Sequence, residues 1–225
     1  MRLTIATYNI HECRGLDGRY DPDRVLGVLL ELNADIIGLQ EVNSREHRGL
    51  ELLQWFADET KLHPVAGPTL LQDPWHYGNA LLTRCPITAV RRVDLSLPDR
   101  EPRGAIDADL DCEGEMLQLI VTHLGLKPAE RRVQVQRLLA RFGTTHCVLM
   151  GDLNEWFLWG RPLHWIKATF GHSPAPPTFP SRLPVFALDR IWIRPPGTLV
   201  EVKTHKSPLA RRASDHLPLK AVIEW

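Results

Sequence analysis

The chain has 225 residues, 44% of them hydrophobic and 24% charged, which suits a single domain over 1–225 with a sizeable core and leaves little for a second. Lys plus Arg equals Asp plus Glu, 27 of each, which excludes a global field that would draw the protein onto nucleic acid or an anionic membrane, although local basic patches stay open. No segment approaches the ~18 apolar residues of a membrane span, Met1–Tyr8 lacks the pattern of a signal peptide, and the expectation is a soluble, cytoplasmic monomer.

In chain order, Leu3–Tyr8 alternates like a strand. Asp21-Pro22 supplies an N-cap and a first-turn proline, and Val25, Leu26, Leu29 and Leu32 then recur at helical spacing. Asp35–Gln40 reads as a short buried strand with Glu41 at its C-terminal end. A helix follows over roughly Leu50–Thr60, with Leu53, Phe56 and Ala57 inward. Strands are expected over Ala80–Thr83, Ala105–Leu110 and Met116–Thr122, the last two at hairpin spacing. Pro128 opens a helix that Gly143 closes. Thr145–Met150 is a strand running to Asp152, and Pro162–Phe170 is a short helix stopped by Gly171. Ser173–Pro184 holds five prolines, so it reads as an ordered surface loop near the site. Phe186–Ile193, Leu199–Thr204 and Leu217–Glu224 finish as strands. Strands outnumber helices by about two to one, a mixture that argues for α/β with mixed sheets. Cys13, Cys85, Cys112 and Cys147 stand far apart, and without a Cys-x-x-Cys pair they are expected as reduced thiols packed mostly in the core.

Four fragments set polar groups beside apolar runs: Thr7-Tyr8-Asn9-Ile10-His11, Leu39-Gln40-Glu41-Val42, Gly151-Asp152-Leu153-Asn154 and Ser214-Asp215-His216-Leu217. Hydrolysis of a phosphate ester needs a cation, a base or oriented water, and a group that stabilises the leaving oxygen. Glu41, closing an apolar strand, would present its carboxylate at a sheet edge, where magnesium takes oxygen ligands. Asn9 could bind a cation, bond a phosphate oxygen or simply form a turn. Asp152 and Asn154 are two apart and share a side in extended chain, so one could orient water and the other bind phosphate. Asp189 lies among apolar residues and needs a partner, either His216 or an arginine such as Arg190. His123 ends an apolar strand as a structural or a catalytic imidazole, and Arg103 has the fork of donors that clamps a phosphate. Trp156, Phe157, Trp159 and Trp165 form either an entrance wall that meets bases or lipid, or core packing. Arg211-Arg212 could add a basic lip.

Together, in this order, the fragments resemble the endonuclease/exonuclease/phosphatase superfamily, with Tyr77-Gly78-Asn79-Ala80-Leu81-Leu82-Thr83, Thr122-His123-Leu124 and Leu188-Asp189-Arg190-Ile191 as further similar blocks. Gly15-Leu16-Asp17-Gly18 resembles the small bacterial members, some suspected of acting on phospholipid head groups. The resemblance implies a deoxyribonuclease I-like four-layer α/β sandwich, two packed mixed sheets flanked by helices, with the site at one rim. It implies Glu41 as main metal ligand, helped by Asn9 and Asp215, for magnesium or in its place manganese. It implies Asp152 on the attacking water, Asn154 on the scissile phosphate, and His216 paired with Asp189 on a phosphoryl oxygen. His123 is similar to the second histidine of the deoxyribonuclease and sphingomyelinase branches, and Arg103 and Asn79 would contact substrate. The expected activity is hydrolysis of a phosphodiester of nucleic acid or a phospholipid head group. Phosphomonoester hydrolysis on a sugar or inositol phosphate, and an inactive binding module on the same fold, are the alternatives.

Overall fold

The computed structural model describes residues 1–72, 75–143 and 146–225. The first sheet contains β1 (Arg2–Asn9), β2 (Ile36–Asn43), β5 (His63–Gln72), β6 (Trp75–Thr83), β12 (Thr198–Thr204) and β13 (Leu219–Glu224), in the order β12-β13-β1-β2-β6-β5. The second contains β7 (Ile87–Asp94), β8 (Gly104–Cys112), β9 (Glu115–His123), β10 (His146–Asp152) and β11 (Asp189–Ile193), in the order β11-β10-β9-β8-β7. A small hairpin, β3 (Glu46–His47) with β4 (Leu50–Glu51), stands apart. The helices are α1 (Pro22–Leu32), α2 (Leu52–Thr60), α3 (Pro128–Leu139), α4 (Arg161–Phe170) and the single turn α5 (Ala210–Ala213).

Period-2 alternation sorts the side chains of each strand into two apolar layers. Ile5, Ile36, Leu81, Leu119, Val121, Val148, Met150 and Leu219 meet between the sheets. The opposite faces carry Tyr8, Ile37, Leu39 and Leu82 against α1 and α2, and Ile120, Cys147 and Leu149 against α3 and α4. Sheets therefore pack on sheets and helices cover both outer faces, the expected four-layer sandwich. Gly38 lets the sheets come close, because a Cβ there would meet Met150 and Val121 side chains at 2.9 Å.

Local chemistry sets the helix limits. Asp21 accepts from the Arg24 backbone N–H at the start of α1, and Asn33 ends it in a left-handed conformation at φ 41°. Glu130 accepts from the Lys127 N–H at the start of α3. That helix ends at Leu139, short of Gly143. The helix expected from Leu50 begins at Leu52, since Leu50 and Glu51 pair with His47 and Glu46. The strand expected from Phe186 begins only at Asp189, because Phe186 pairs with Phe179 in the proline-rich loop. Thr145, the expected start of β10, lies outside the described residues.

The cysteine expectation needs correction. Cys85, just past β6, and Cys112, closing β8, form a disulfide with Cα atoms 5.1 Å apart, within the span such a bond requires. Their sequence separation of 27 hid a proximity that only the stacking of the two sheets creates. Cys13 and Cys147 are free and buried, as expected.

Candidate active site

One rim of the sandwich collects the polar ends of many strands. β1 and β2 run parallel and deliver Asn9 and Glu41 to the same end. β9 and β10 also run parallel and deliver His123 beside Asp152. β11 is antiparallel to β10, so Asp189 starts where Asp152 ends. The loop before β13 brings Asp215 and His216 to the same place.

Two backbone irregularities aim the carboxylates. The β2–β6 ladder slips between Leu39 and Val42, and Glu41 takes a left-handed φ of 58° within that bulge. In β10, Gly151 has φ 148°, and a Cβ would come within 1.9 Å of the Thr122 carbonyl, so only glycine fits directly before Asp152. Asn154 (φ 50°) and the 3-10 turn His11–Cys13 (φ 47–61°) also sit in the left-handed region. Such strain persists where surrounding structure over-determines it, typically at functional sites.

Asn9 joins the two sheets. Its amide nitrogen donates to Glu41 Oε1 at 3.0 Å and to Asp152 Oδ2 at 3.1 Å, while its oxygen accepts from the His11 N–H. Asp152 is 1% exposed, and its Oδ1 accepts from the Asn154 N–H. On its Oδ2 side lie His123 Nε2 at 3.4 Å and His216 Nε2 at 3.7 Å. His216 Nδ1 meets Asp189 Oδ2 at 2.8 Å, and that oxygen also accepts from Thr178 Oγ1 at 2.6 Å. Asp189 thus pairs with His216, and no ion pair to Arg190 forms. Asp215 is partly exposed; its Oδ1 lies 3.8 Å from His11 Nδ1 and accepts from Ser214 Oγ at 3.4 Å.

The two histidines differ electrostatically. Burial, reinforced by the Arg103 charge, pushes His123 down to about 3 against the pull of Asp152, so this ring is neutral. Arg103 can only donate and meets Nδ1 of His123 at 3.0 Å, while Nε2 lies 3.4 Å from Asp152, and a neutral ring accepts at only one of its two nitrogens. Asn154 donates to the Leu124 carbonyl and its amide nitrogen lies 3.0 Å from the same Nε2. For His216 burial also works against charge, but Asp189, Asp152 and Asp215 outweigh it and raise the ring to about 10. His216 is therefore an imidazolium. Burial raises Glu41, with the charges of Asp152 and Asp215 adding to it and the Asn9 bond opposing.

Arg103 is buried, held by Glu101 and His123, with Nε lacking a partner among the described residues. Asn79 stands one step behind it: its amide donates to the Gly104 carbonyl and its oxygen has no partner among the described residues. Three contributors were given no role from sequence, although His11 closes one of the four fragments. Thr178 braces Asp189, the Phe179 ring packs 4.8 Å from that of His216, and His11 faces Asp215. The first two sit in the proline-rich loop, whose placement near the site was the only signal. Of the aromatic cluster, Trp165 packs against the core of the second sheet, whereas Trp156 touches Phe179 and Phe186 and Trp159 is 80% exposed.

Residues 6–216 match a family model described as Endonuclease/Exonuclease/phosphatase family. The uncharacterized protein YbhP of Escherichia coli (strain K12) is 27% identical, covering 97% of this chain and 95% of that protein. The endonuclease/exonuclease/phosphatase from Bacteroides vulgatus superposes with a TM-score of 0.82 at 19% identity, over 100% of this chain and 99% of that one. D. rerio TDP2 complexed with single strand DNA product superposes at 0.74 with 18% identity, over 100% and 99%.

Proposed function

Because the chain belongs to the endonuclease/exonuclease/phosphatase family, whose members are generally hydrolases of phosphate esters, we propose that it is a magnesium-dependent phosphodiesterase acting on a nucleic acid or a phospholipid head group. The observation that carries this reading is the convergence, through Asn9, of Glu41 from one sheet with Asp152 from the other, opposite the charged ring of His216.

The donor set fits a hard divalent cation. Glu41, Asp152 and Asp215 bring three carboxylates into mutual electrostatic reach, and among the described residues none is in ion-pair contact with a lysine or arginine. Magnesium takes oxygen ligands from one or two carboxylates; Glu41 and Asp215 would hold it, with Asn9 fixing Glu41 against Asp152. Bound there, the cation would neutralise charge on the phosphoryl oxygens. Asp152, Asp189 and His216 also present ligand atoms within 4.8 Å of one another. We do not place the cation there, because the imidazolium already supplies the positive charge and Asp189 is its partner.

Asp152 has Oδ1 fixed by the Asn154 N–H and Oδ2 held by the Asn9 amide beside the two imidazoles, and in this reading that oriented carboxylate aligns and deprotonates water. His216, kept charged and oriented by Asp189, offers its Nε2–H to a phosphoryl oxygen and stabilises charge that grows in the transition state. His123, neutral, presents an N–H without adding charge, and Asn154 holds the phosphate beside it. Arg103 adds a cationic wall, and Asn79 secures its backbone by holding Gly104.

The test compares bis-para-nitrophenyl phosphate with para-nitrophenyl phosphate in magnesium, with and without chelator. Faster turnover of the diester, abolished by chelation and restored by magnesium or manganese, is expected. A preference for the monoester would move the reading to a phosphomonoesterase, and no turnover of either would leave a binding module.

A further inference from the structure

Behind β11, on the face away from the catalytic cluster, a cavity of about 330 Å³ opens between α4 and the segments around Trp159 and Ser173. Its lining includes Arg190, His164, Lys167 and His172, with Leu158 and Trp159 at its apolar edge, and no aspartate or glutamate. The sequence runs from Trp156 to Leu188 without one acidic residue.

Arg190 is the unusual member. It is 4% exposed, its Nε donates to the Ala187 carbonyl at 2.8 Å, and its guanidinium lies 5.8 Å from the Trp192 ring. Nη2 has no hydrogen-bond partner, and no carboxylate forms an ion pair with the side chain among the described residues. The two acids whose charge reaches it are already taken: Asp189 bonds His216 and Thr178, and Glu155 pairs with Arg131 at 3.1 Å. Strand alternation sends Arg190 to the other side of the sheet from Asp189. A buried cation is costly unless an anion compensates it, and burial pushes this guanidinium down to about 10 even with Asp189 and Glu155 opposing.

We infer that this cavity is a second anion site, in which Arg190 and Lys167 bind a phosphate group whose organic part is apolar and rests on Leu158 and Trp159. An arginine offers paired donors to a phosphate, the histidines add further donors, and the exposed apolar edge rejects a fully hydrated anion in favour of an ester. The site is separate from the catalytic cluster, so it stands or falls independently of the phosphodiesterase reading.

The test titrates the whole protein with inorganic phosphate and with butyl phosphate, following the indole N–H signals of Trp159 and Trp192 by NMR, which report this cavity rather than the catalytic rim. Saturable shifts are expected, with butyl phosphate tighter by roughly 4-fold for each methylene buried. Arg190→Gln and Lys167→Gln should each weaken binding by about 10-fold or more, and the exposed Lys167 variant keeps the test valid if the buried one does not fold. Indole signals unmoved by either anion, or affinities unchanged in Lys167→Gln, would overturn the proposal. Vesicles of phosphatidic acid separate the sources. Co-sedimentation lost in Lys167→Gln assigns the phosphate to a lipid, and butyl phosphate binding without co-sedimentation assigns it to a small soluble ester.

Discussion

At the residue scale, the catalytic reading distinguishes Asp152, which acts on water, from Asp189, which acts through a ring. Asp152→Asn keeps the shape, and the amide can retain a contact with Asn154, but it cannot take a proton. Its kcat is expected to fall by roughly 100-fold or more with the fold intact; a variant with normal circular dichroism and normal kcat would remove Asp152 from the role. Asp189→Asn should also lower kcat, because the charge that keeps His216 protonated disappears with the carboxylate. Both variants should lower the titration of the ring followed by NMR, since Asp152 also raises it, but Asp189→Asn should lower it further because it loses the direct hydrogen bond as well as the charge. Most of these residues could be picked from sequence because chemistry-bearing side chains stood at the ends of apolar runs. What could not be read was which oxygen met which nitrogen. Asn9 illustrates this: the bare sequence offered a ligand, a phosphate contact or a turn, and the structure gives an amide that grips two carboxylates from different sheets.

At the element scale, the legible pieces were those whose burial is two-sided or strongly periodic: β1, β2, β9, β10 and α1. Besides the short β3–β4 hairpin, the strands not anticipated, β5 and β7, each lie at one edge of a main sheet. β5 contains Pro64, Gly67 and Pro68, which read as breakers but are tolerated on an edge where half the N–H groups have no strand to bond. β7 is half-exposed along its length, its only strong signal being alternation. That edge is tied to its neighbour by charge. Asp107 on β8 is 1% exposed and accepts two bonds from Arg91, at 2.8 and 3.0 Å, and one from Gln118. Burial alone would raise Asp107, but Arg91 and Gln118 dominate together with Arg141 and lower it. A carboxyl lowered in the folded state contributes stability that is complete above its unfolded value of ~3.9 and vanishes as pH falls through the folded one. Asp107→Asn is therefore expected to cost roughly 2 kcal/mol at neutral pH, short of a fully buried pair because Arg91 stays partly solvated. It should also flatten the acid limb of the stability curve. Urea unfolding at pH 7 and pH 3 checks both, and an undiminished loss on acidification would mean other carboxyls carry it.

At the scale of the whole molecule, the site exists only because two sheets stack in register at one rim. The distance between sheets is set partly at Gly38, against Met150 and Val121. Gly38→Val should push Val121 and Met150 back, cost 1–3 kcal/mol as overpacking (about the usual range), and lower kcat by loosening Asn9 from Asp152. Thermal unfolding and turnover are the measurements, and a variant that loses stability while keeping full turnover would show that the rim tolerates a shift of the layers. The four-layer arrangement was implied by resemblance rather than by periodicity, since period-2 patterns say which residues share a face but not which faces meet. The Cys85–Cys112 pairing escaped for the same reason.

The Phe179 ring sits between the surface and the chemistry. On one side it meets Trp156 at 5.7 Å between ring centres, and on the other it meets His216 at 4.8 Å. Thr178, its neighbour in the chain, holds the carboxylate that steadies the same imidazole. A bulky molecule resting on the outer tryptophan would therefore bear, through an edge-on and a tilted ring contact, on the segment that holds the imidazole in place.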